Sequence, residues 1–304
     1  MARPDLPHAM RIGLALVVLA AGAAAGCGGA KHAVATTTAR ITTQPSKTQP
    51  LQVGVVGHLE LHVAGAVMTH GTLDRLPGAG AVPLVIVSAA TNTLPAVAAA
   101  AAAHPDSHFA YVGGSTRGAS RANLAGVVLR DDQAAFLGGV VAALVARDDG
   151  GTKRRVAWVG PQERRLTAAF SRGAHTIDST VAILVVLARD APAACKEAAL
   201  SATARGADVV MARGDGCATA AVAGSHQTNH IGLRLSDFEL PGVAATQIVH
   251  EAVGGVFHGG EDVVFGAASG AIGVARLDPR INPTTAIASR TAAQQVASGL
   301  RPSG

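Results

Sequence analysis

The sequence predicts an α/β protein of two doubly wound, parallel-sheet lobes with a cleft between them. Three observations carry this. From residue 53 onward, short aliphatic runs alternate with longer Ala-rich stretches. Most of the runs are continuously apolar, as strands covered on both faces must be. A composition shift at Asp148-Asp149-Gly150-Gly151 divides the alternation into two similar units. Repeated β-α alternation of this kind builds an open parallel sheet with helices on both sides.

Strands are expected at 53–56, 84–87, 108–112, 155–159, 180–187, 208–212 and 230–235. Helices are expected at 94–103, 132–147, 164–176, 192–205, 219–226 and 242–257. Pro95 and Pro192 stand at helix starts, where a missing N–H costs nothing. Asp190 lies close to the N-cap position of the second of these helices, and Gly206 reads as its C′ residue. Asp131-Asp132 reads as the cap of the helix carrying Gln133, with paired-carboxylate catalysis as the alternative. The break at 148–151 assigns residues 51–149 to lobe 1 and 150–242 to lobe 2.

The N-terminus has the layout of an export signal spanning residues 1–26. Arg3 and Arg11 precede an uncharged apolar run from Ile12 to Ala25. That run is too short for a membrane span of about 20 residues but suits a signal h-region. It ends in Ala24-Ala25-Gly26-Cys27, which resembles the bacterial lipobox, with Ala24 in place of the usual leucine. The expectation is a lipoprotein cut before Cys27 and held to the cell membrane, on its extracytoplasmic side, through lipid on that thiol. An ordinary signal peptide is the alternative. Residues 27–50 then form a flexible stalk, because a stretch rich in Thr, Gln, Lys and Pro buries too little apolar surface to offset chain entropy.

Composition narrows the function further. Among 304 residues, aromatics are 3% and charged residues 15%, with a formal net charge of +5. The arginines are scattered and lack the interleaved aromatics on which bases stack, so no nucleic-acid partner is expected. No metal, cofactor or catalytic residue is expected either. His250-Glu251 lacks the histidine four residues on that a zinc helix needs, and His258 is about 12 Å further along a helix. Ser88 and Ser115 have no nucleophile-elbow context. The triplet Arg213-Gly214-Asp215 is read as a chance adhesion tripeptide.

Two cysteines remain. In a βαβ unit the helix runs antiparallel to its strands, so its first turn lies near the strands' C-terminal ends. Cys195, in the first turn of the 192 helix, and Cys217, just past the 208–212 strand, therefore share one edge of a lobe. A disulfide between them is expected there, two free thiols being the alternative.

The block Val128-Leu-Arg-Asp-Asp-Gln133-Ala-Ala-Phe136-Leu-Gly-Gly139-Val-Val-Ala-Ala-Leu144 resembles the signature of the basic-membrane-protein (BMP) lipoproteins. His104-Pro-Asp-Ser-His-Phe109-Ala, Arg155-Val-Ala-Trp-Val-Gly160, Phe170-Ser-Arg-Gly173-Ala, Gly206-Ala-Asp-Val-Val210 and Ile231-Gly232 follow the family's order. The resemblance implies a type I periplasmic-binding-protein fold, with lobe 1 completed by about 243–263 and lobe 2 by about 264–300. It implies a substrate-binding component of an ABC importer, with a permease as partner, a nucleoside-like ligand and no enzymatic activity. The chain departs from the family at ligand contacts. Gly113 stands at an Asp position, Ala188 at a base-stacking aromatic, Arg234 at a ribose-binding Asp, and Val249 or His250 near a hinge lysine.

The strand ends expected to line the cleft supply Ser88, Asn92, Gly113, Gly114, Ser115, Arg213, Gly214, Asp215, Arg234 and Asp237. Glycines at helix starts expose N–H groups that favour anions, and Arg213 and Arg234 add forked donors. This combination predicts a small polar ligand with an acidic group, Asp215 and Asp237 receiving its donors. The alternative is that the arginines form inter-lobe salt bridges with those two aspartates. The function expected is a lipid-anchored solute-binding protein that closes two lobes on its ligand. A degenerate envelope receptor without a transport role is the alternative.

Overall fold

Continuous aliphatic strands need cover on both faces, and the computed structural model shows what supplies it. It describes residues 49–75, 82–119, 121–148, 154–300 and 302. The signal, Cys27 and the stalk up to residue 48 lie outside the described residues. No described helix is long and apolar enough to cross a membrane.

The first sheet has six parallel strands: β1 (Leu51–Val56), β2 (Ala66–Gly71), β3 (Leu84–Ser88), β4 (His108–Val112), β5 (Leu124–Leu129) and β10 (Asp262–Phe265). Their order is β10-β5-β4-β3-β1-β2. The sequence reading misses three of them, each for a local reason. β2 is a half-exposed edge strand carrying Thr69 and His70. β10 is short and also lies at an edge. Gly126 interrupts the apolar run of β5 because a side chain there would strike the Asp262 carboxylate, a close approach that only glycine permits.

Helix α1 (Leu94–Ala103) links β3 to β4, but the parallel connection from β1 to β2 lacks a helix. Residues 57–65 join β1 to β2, where a parallel crossover usually takes about a dozen residues or more. This strap is extended, and it buries Leu59, Leu61 and Val63 while His58, Glu60 and His62 face solvent. Its apolar side chains join the core cluster that includes β1, β3 and α6 (Pro241–Val253), so three inward residues stand in for a helix face.

The second sheet is parallel, in the order β7-β6-β8-β9, from β6 (Arg155–Gly160), β7 (Ala182–Leu187), β8 (Val209–Ala212) and β9 (Ile231–Arg234). α3 (Arg164–Ile177), α4 (Pro192–Ala204) and α5 (Asp215–Gln227) connect them. α4 ends as expected, with Gly206 at φ +84° after the C-cap Arg205. Its N-cap is Ala191 rather than Asp190.

One boundary shifts. α2 (Asp131–Asp148) is buried along most of its length and packs on α3, β8 and α7 (Pro283–Ala297). It therefore covers the second sheet, and the chain leaves the first sheet at Arg130 instead of at 148–151. The cause is visible in the helix–helix contact. Gly139 faces the Phe170 carbonyl and Gly173 faces the Phe136 carbonyl, so the two backbones cross with no side chain between them. After β9 the chain returns to the first sheet, where α6 packs on β3, β4 and β5.

α5 starts at Asp215, earlier than expected, which puts Cys217 in its first turn. Cys195 and Cys217 are disulfide-bonded, with Cα atoms 5.1 Å apart and a sequence separation of 22. The bond ties the first turns of α4 and α5 together beside the end of β8.

α6 ends at Val253, sooner than expected, and frees Phe257 to stack on His108, ring centroids 4.5 Å apart. His108 Nδ1 is buried without a hydrogen-bond partner, and desolvation lowers the pKa of the ring below the usual histidine value. The fold thus favours neutral His108. The unfolded chain binds the proton more readily, so stability falls as pH drops below about 6.5 toward the depressed folded value. We expect the melting temperature to decline between about pH 7.5 and 5.5, and His108→Phe to flatten that decline; an unchanged slope would refute the assignment. Carboxylates act in another window. The hydrogen bond from Arg130 first, and Arg165 in addition, hold Asp132 at about 2 despite partial burial. Its contribution is lost only as pH falls from about 4 through 2.

Candidate functional site

A cavity of about 620 Å³ opens where the C-terminal ends of strands from the two sheets meet. Parallel α/β sheets receive ligands at this end, beyond the strand carboxyl termini. β3 and β4 contribute Ser88 and Gly113, and β5 with the start of α2 contributes Leu129 and Asp131. Arg213 and Gly214 come from the turn after β8, and Asp190 from the turn before α4. Ser236 and Glu239 lie on the segment joining β9 to α6.

Three crossings connect the two sheets, at 129–131, 234–241 and 265–283, and the first two line the cavity. They are bonded to one another. Gly273 N–H donates to the Phe238 carbonyl at 3.0 Å and Leu240 N–H to the Ala271 carbonyl at 2.9 Å. Arg130 N–H donates to the Phe265 carbonyl at 2.9 Å, and Gln133 Oε1 accepts from Ala267 N–H at 2.7 Å. The signature glutamine therefore fastens the first crossing to the third.

Of the residues expected to line the cleft, Ser88, Gly113, Arg213 and Gly214 do so. Gly113 and Gly214 have φ of +86° and +85°, which bulky residues rarely adopt. Five others serve structure nearby. Asn92 donates to the Ser88 carbonyl at 3.1 Å and to Thr91 Oγ1 at 2.9 Å. Gly114 lies against the Tyr111 ring. Ser115 Oγ donates to Asp262 at 2.5 Å, and the Thr116 N–H joins it at 2.8 Å. Arg234 pairs with Asp237 inside its own crossing, Nε to Oδ1 at 3.1 Å and backbone N–H to Oδ2 at 2.8 Å. Asp215 opens α5; its side chain lies outside the described residues.

Neither arginine is an open anion fork. Arg213 donates to Asp131 at 3.1 Å and also pairs with Glu163 at the N-cap of α3. Its carboxylate partners are thus not the aspartates expected from the sequence, and Asp131 pairs with it instead of capping α2. Among the described residues the charged groups on the cavity wall are Asp131, Asp190, Glu239 and Arg213. Asp190 makes no hydrogen bond among the described residues and stands over Gly214, where an added Cβ would come within 2.8 Å of its Oδ1. Sequence reasoning passed over Asp190 and Glu239 as binding residues. The first carried a signal, a carboxylate beside a strand end. The second lies in a crossing that only the fold brings to the cavity.

Two parallel sheets, three bonded crossings and a cavity at the strand ends define the periplasmic-binding-protein-like fold of solute-binding proteins. The family model described as "ABC transporter substrate-binding protein PnrA-like" (Bmp) matches residues 84–236. The chain belongs to the Bmp family of ABC transporter substrate-binding proteins. It is similar in structure to an ABC transporter system solute-binding protein from Conexibacter woesei DSM 14684, with TM-score 0.56, 17% identity, and 82% of this chain and 97% of that one covered. A counterpart from Aeropyrum pernix K1 gives TM-score 0.50 and 16% identity over 82% and 92% of the two chains. A transcriptional activator of the comK gene from Bacillus halodurans shares the fold, with TM-score 0.55, 14% identity, and 83% and 99% coverage. No curated protein matches the sequence.

Proposed function

We propose that this chain is the lipid-anchored, extracytoplasmic solute receptor of an ABC importer and closes its two sheets over a small polar ligand for delivery to a permease. The observation that carries this reading is the cavity at the strand ends, bordered by crossings that bond to one another. Such crossings let two bodies swing as units while the polar wall stays assembled. Ser88, Gly113, Gly214 and Ser236 supply hydroxyls and open backbone for ligand contact. Cys27 and the stalk would keep the body within reach of the permease.

Native mass spectrometry of the purified chain tests the reading. A small molecule is expected to co-purify, and its removal should expand the scattering radius of gyration, since the sheets would part. An unchanged radius with and without ligand would sink the closure mechanism. For the tether, Cys27→Ala is expected to move the chain from the membrane fraction to the soluble extracytoplasmic fraction. Retention of the variant on membranes would count against lipidation at Cys27.

A further inference from the structure

We propose that the cavity selects a small aliphatic cation, an amine also bearing hydroxyl groups, rather than an anion or an aromatic nucleoside. The inference rests on the solute-binding reading and names the ligand class for that same cavity. Charge is the first argument. The chain as a whole carries +5, yet the cavity wall holds Asp131, Asp190 and Glu239 against Arg213. The sign of the wall therefore opposes that of the molecule. Arg213 brings no spare positive charge, since Asp131 and Glu163 both hold its guanidinium.

Position is the second argument. The N-terminus of α5 borders the cavity through Gly214 and Ala218. An anionic ligand would normally settle at such a helix start. Here Asp190 stands over Gly214, so the protein's own carboxylate is already there. An incoming anion would face it at short range, while an ammonium group would gain from it. Shape and polarity are the third argument. No aromatic side chain lines the cavity among the described residues; its apolar wall comes from alanines, Val112, Leu129, Leu235 and Pro241. Without a ring to stack on, a purine forgoes roughly 1–3 kcal/mol of stacking, whereas an aliphatic ligand packs on such a wall. Ser88 and Ser236 remain to pair with hydroxyl groups.

The test is calorimetric titration of the purified, ligand-stripped chain with four probes: putrescine, glucosamine, inosine and glutarate. The expected result is binding of the amines, with glucosamine ahead of putrescine and with affinity weakening as salt rises. Asp190→Asn and Glu239→Gln should each weaken amine binding by roughly tenfold or more. Asp106→Asn removes the same charge from an exposed loop at the opposite end of β4 and should leave the affinity unchanged. Melting curves of the variants separate lost binding from lost fold. Glutarate or inosine binding in preference to both amines would overturn the ligand class and leave the receptor reading standing. Amine binding that survives Asp190→Asn and Glu239→Gln together would overturn it too. Failure of every probe, with nothing co-purifying, would overturn both.

Discussion

Gly173→Ala is expected to destabilise the protein by about 3 kcal/mol, a fall in melting temperature of roughly 6–12 °C for a domain of this size. The added methyl has nowhere to go. It would run into the Phe136 carbonyl, and the matching change at Gly139 would meet the Phe170 carbonyl. Neither obstacle is a flexible side-chain tip; each belongs to the backbone of the facing helix. Relief requires α2 and α3 to separate, which would loosen both around the buried Phe170 and Trp158. Gly138→Ala is an internal control, because its methyl meets the movable end of Met211. It should cost clearly less. Equal melting temperatures for Gly173→Ala and the parent chain would refute this account of the crossing.

Loss of the Cys195–Cys217 bond is expected to have an effect of similar size. A cross-link spanning 22 residues restricts the unfolded chain by about 3 kcal/mol in the loop-entropy picture. The urea midpoint should fall when the bond is reduced, and Cys217→Ala should reproduce the shift and make reductant irrelevant. The bond also holds α5 against α4 on the side where Gly214 and Ala218 meet the cavity, so ligand affinity should fall with it. A reductant-insensitive midpoint in the parent chain would contradict the bond's contribution.

The fold was legible where the physics is local. Runs such as Leu84–Ser88 and Arg155–Gly160 are buried on both faces, and burial on both faces leaves an unbroken apolar string in the sequence. Helix starts at Pro192 and Leu94 declare themselves through proline. β5 and β2 were not legible, because Gly126 answers to Asp262 from a distant strand and β2 is half exposed at an edge. The family signature was readable, and the structure explains what it encodes. Gln133, Gly139 and Gly173 fasten a crossing and seat one helix on another; none of them lines the cavity. A chain can therefore keep that signature while its ligand wall changes.

The site was legible by place and not by charge. Glycines after β4 and β8 marked the cavity correctly, since strand position follows from alternation. Arg213 and Arg234 looked like anion forks because each follows a strand, but pairing depends on neighbours that only the tertiary structure supplies. Asp237 reaches back three residues to Arg234, and Asp131 and Glu163 converge on Arg213 from two helix starts. Their carboxylates turn a wall that reads as cationic into an acidic one.

The chain's early departure from the first sheet, at Arg130, has a consequence for the order of assembly during synthesis. Everything from α2 to β9 is contiguous, so the second sheet, its intervening helices and its disulfide partners can come together as one stretch of emerging chain. The first sheet is discontinuous. Its edge strand β10 follows more than a hundred residues after β5, which it must pair with. Until residue 265 has been added, β5 presents an open edge, and loop closure over that distance is a slow step. The second sheet is thus the unit that a growing chain completes first. The open β5 edge is where a stalled one would need protection.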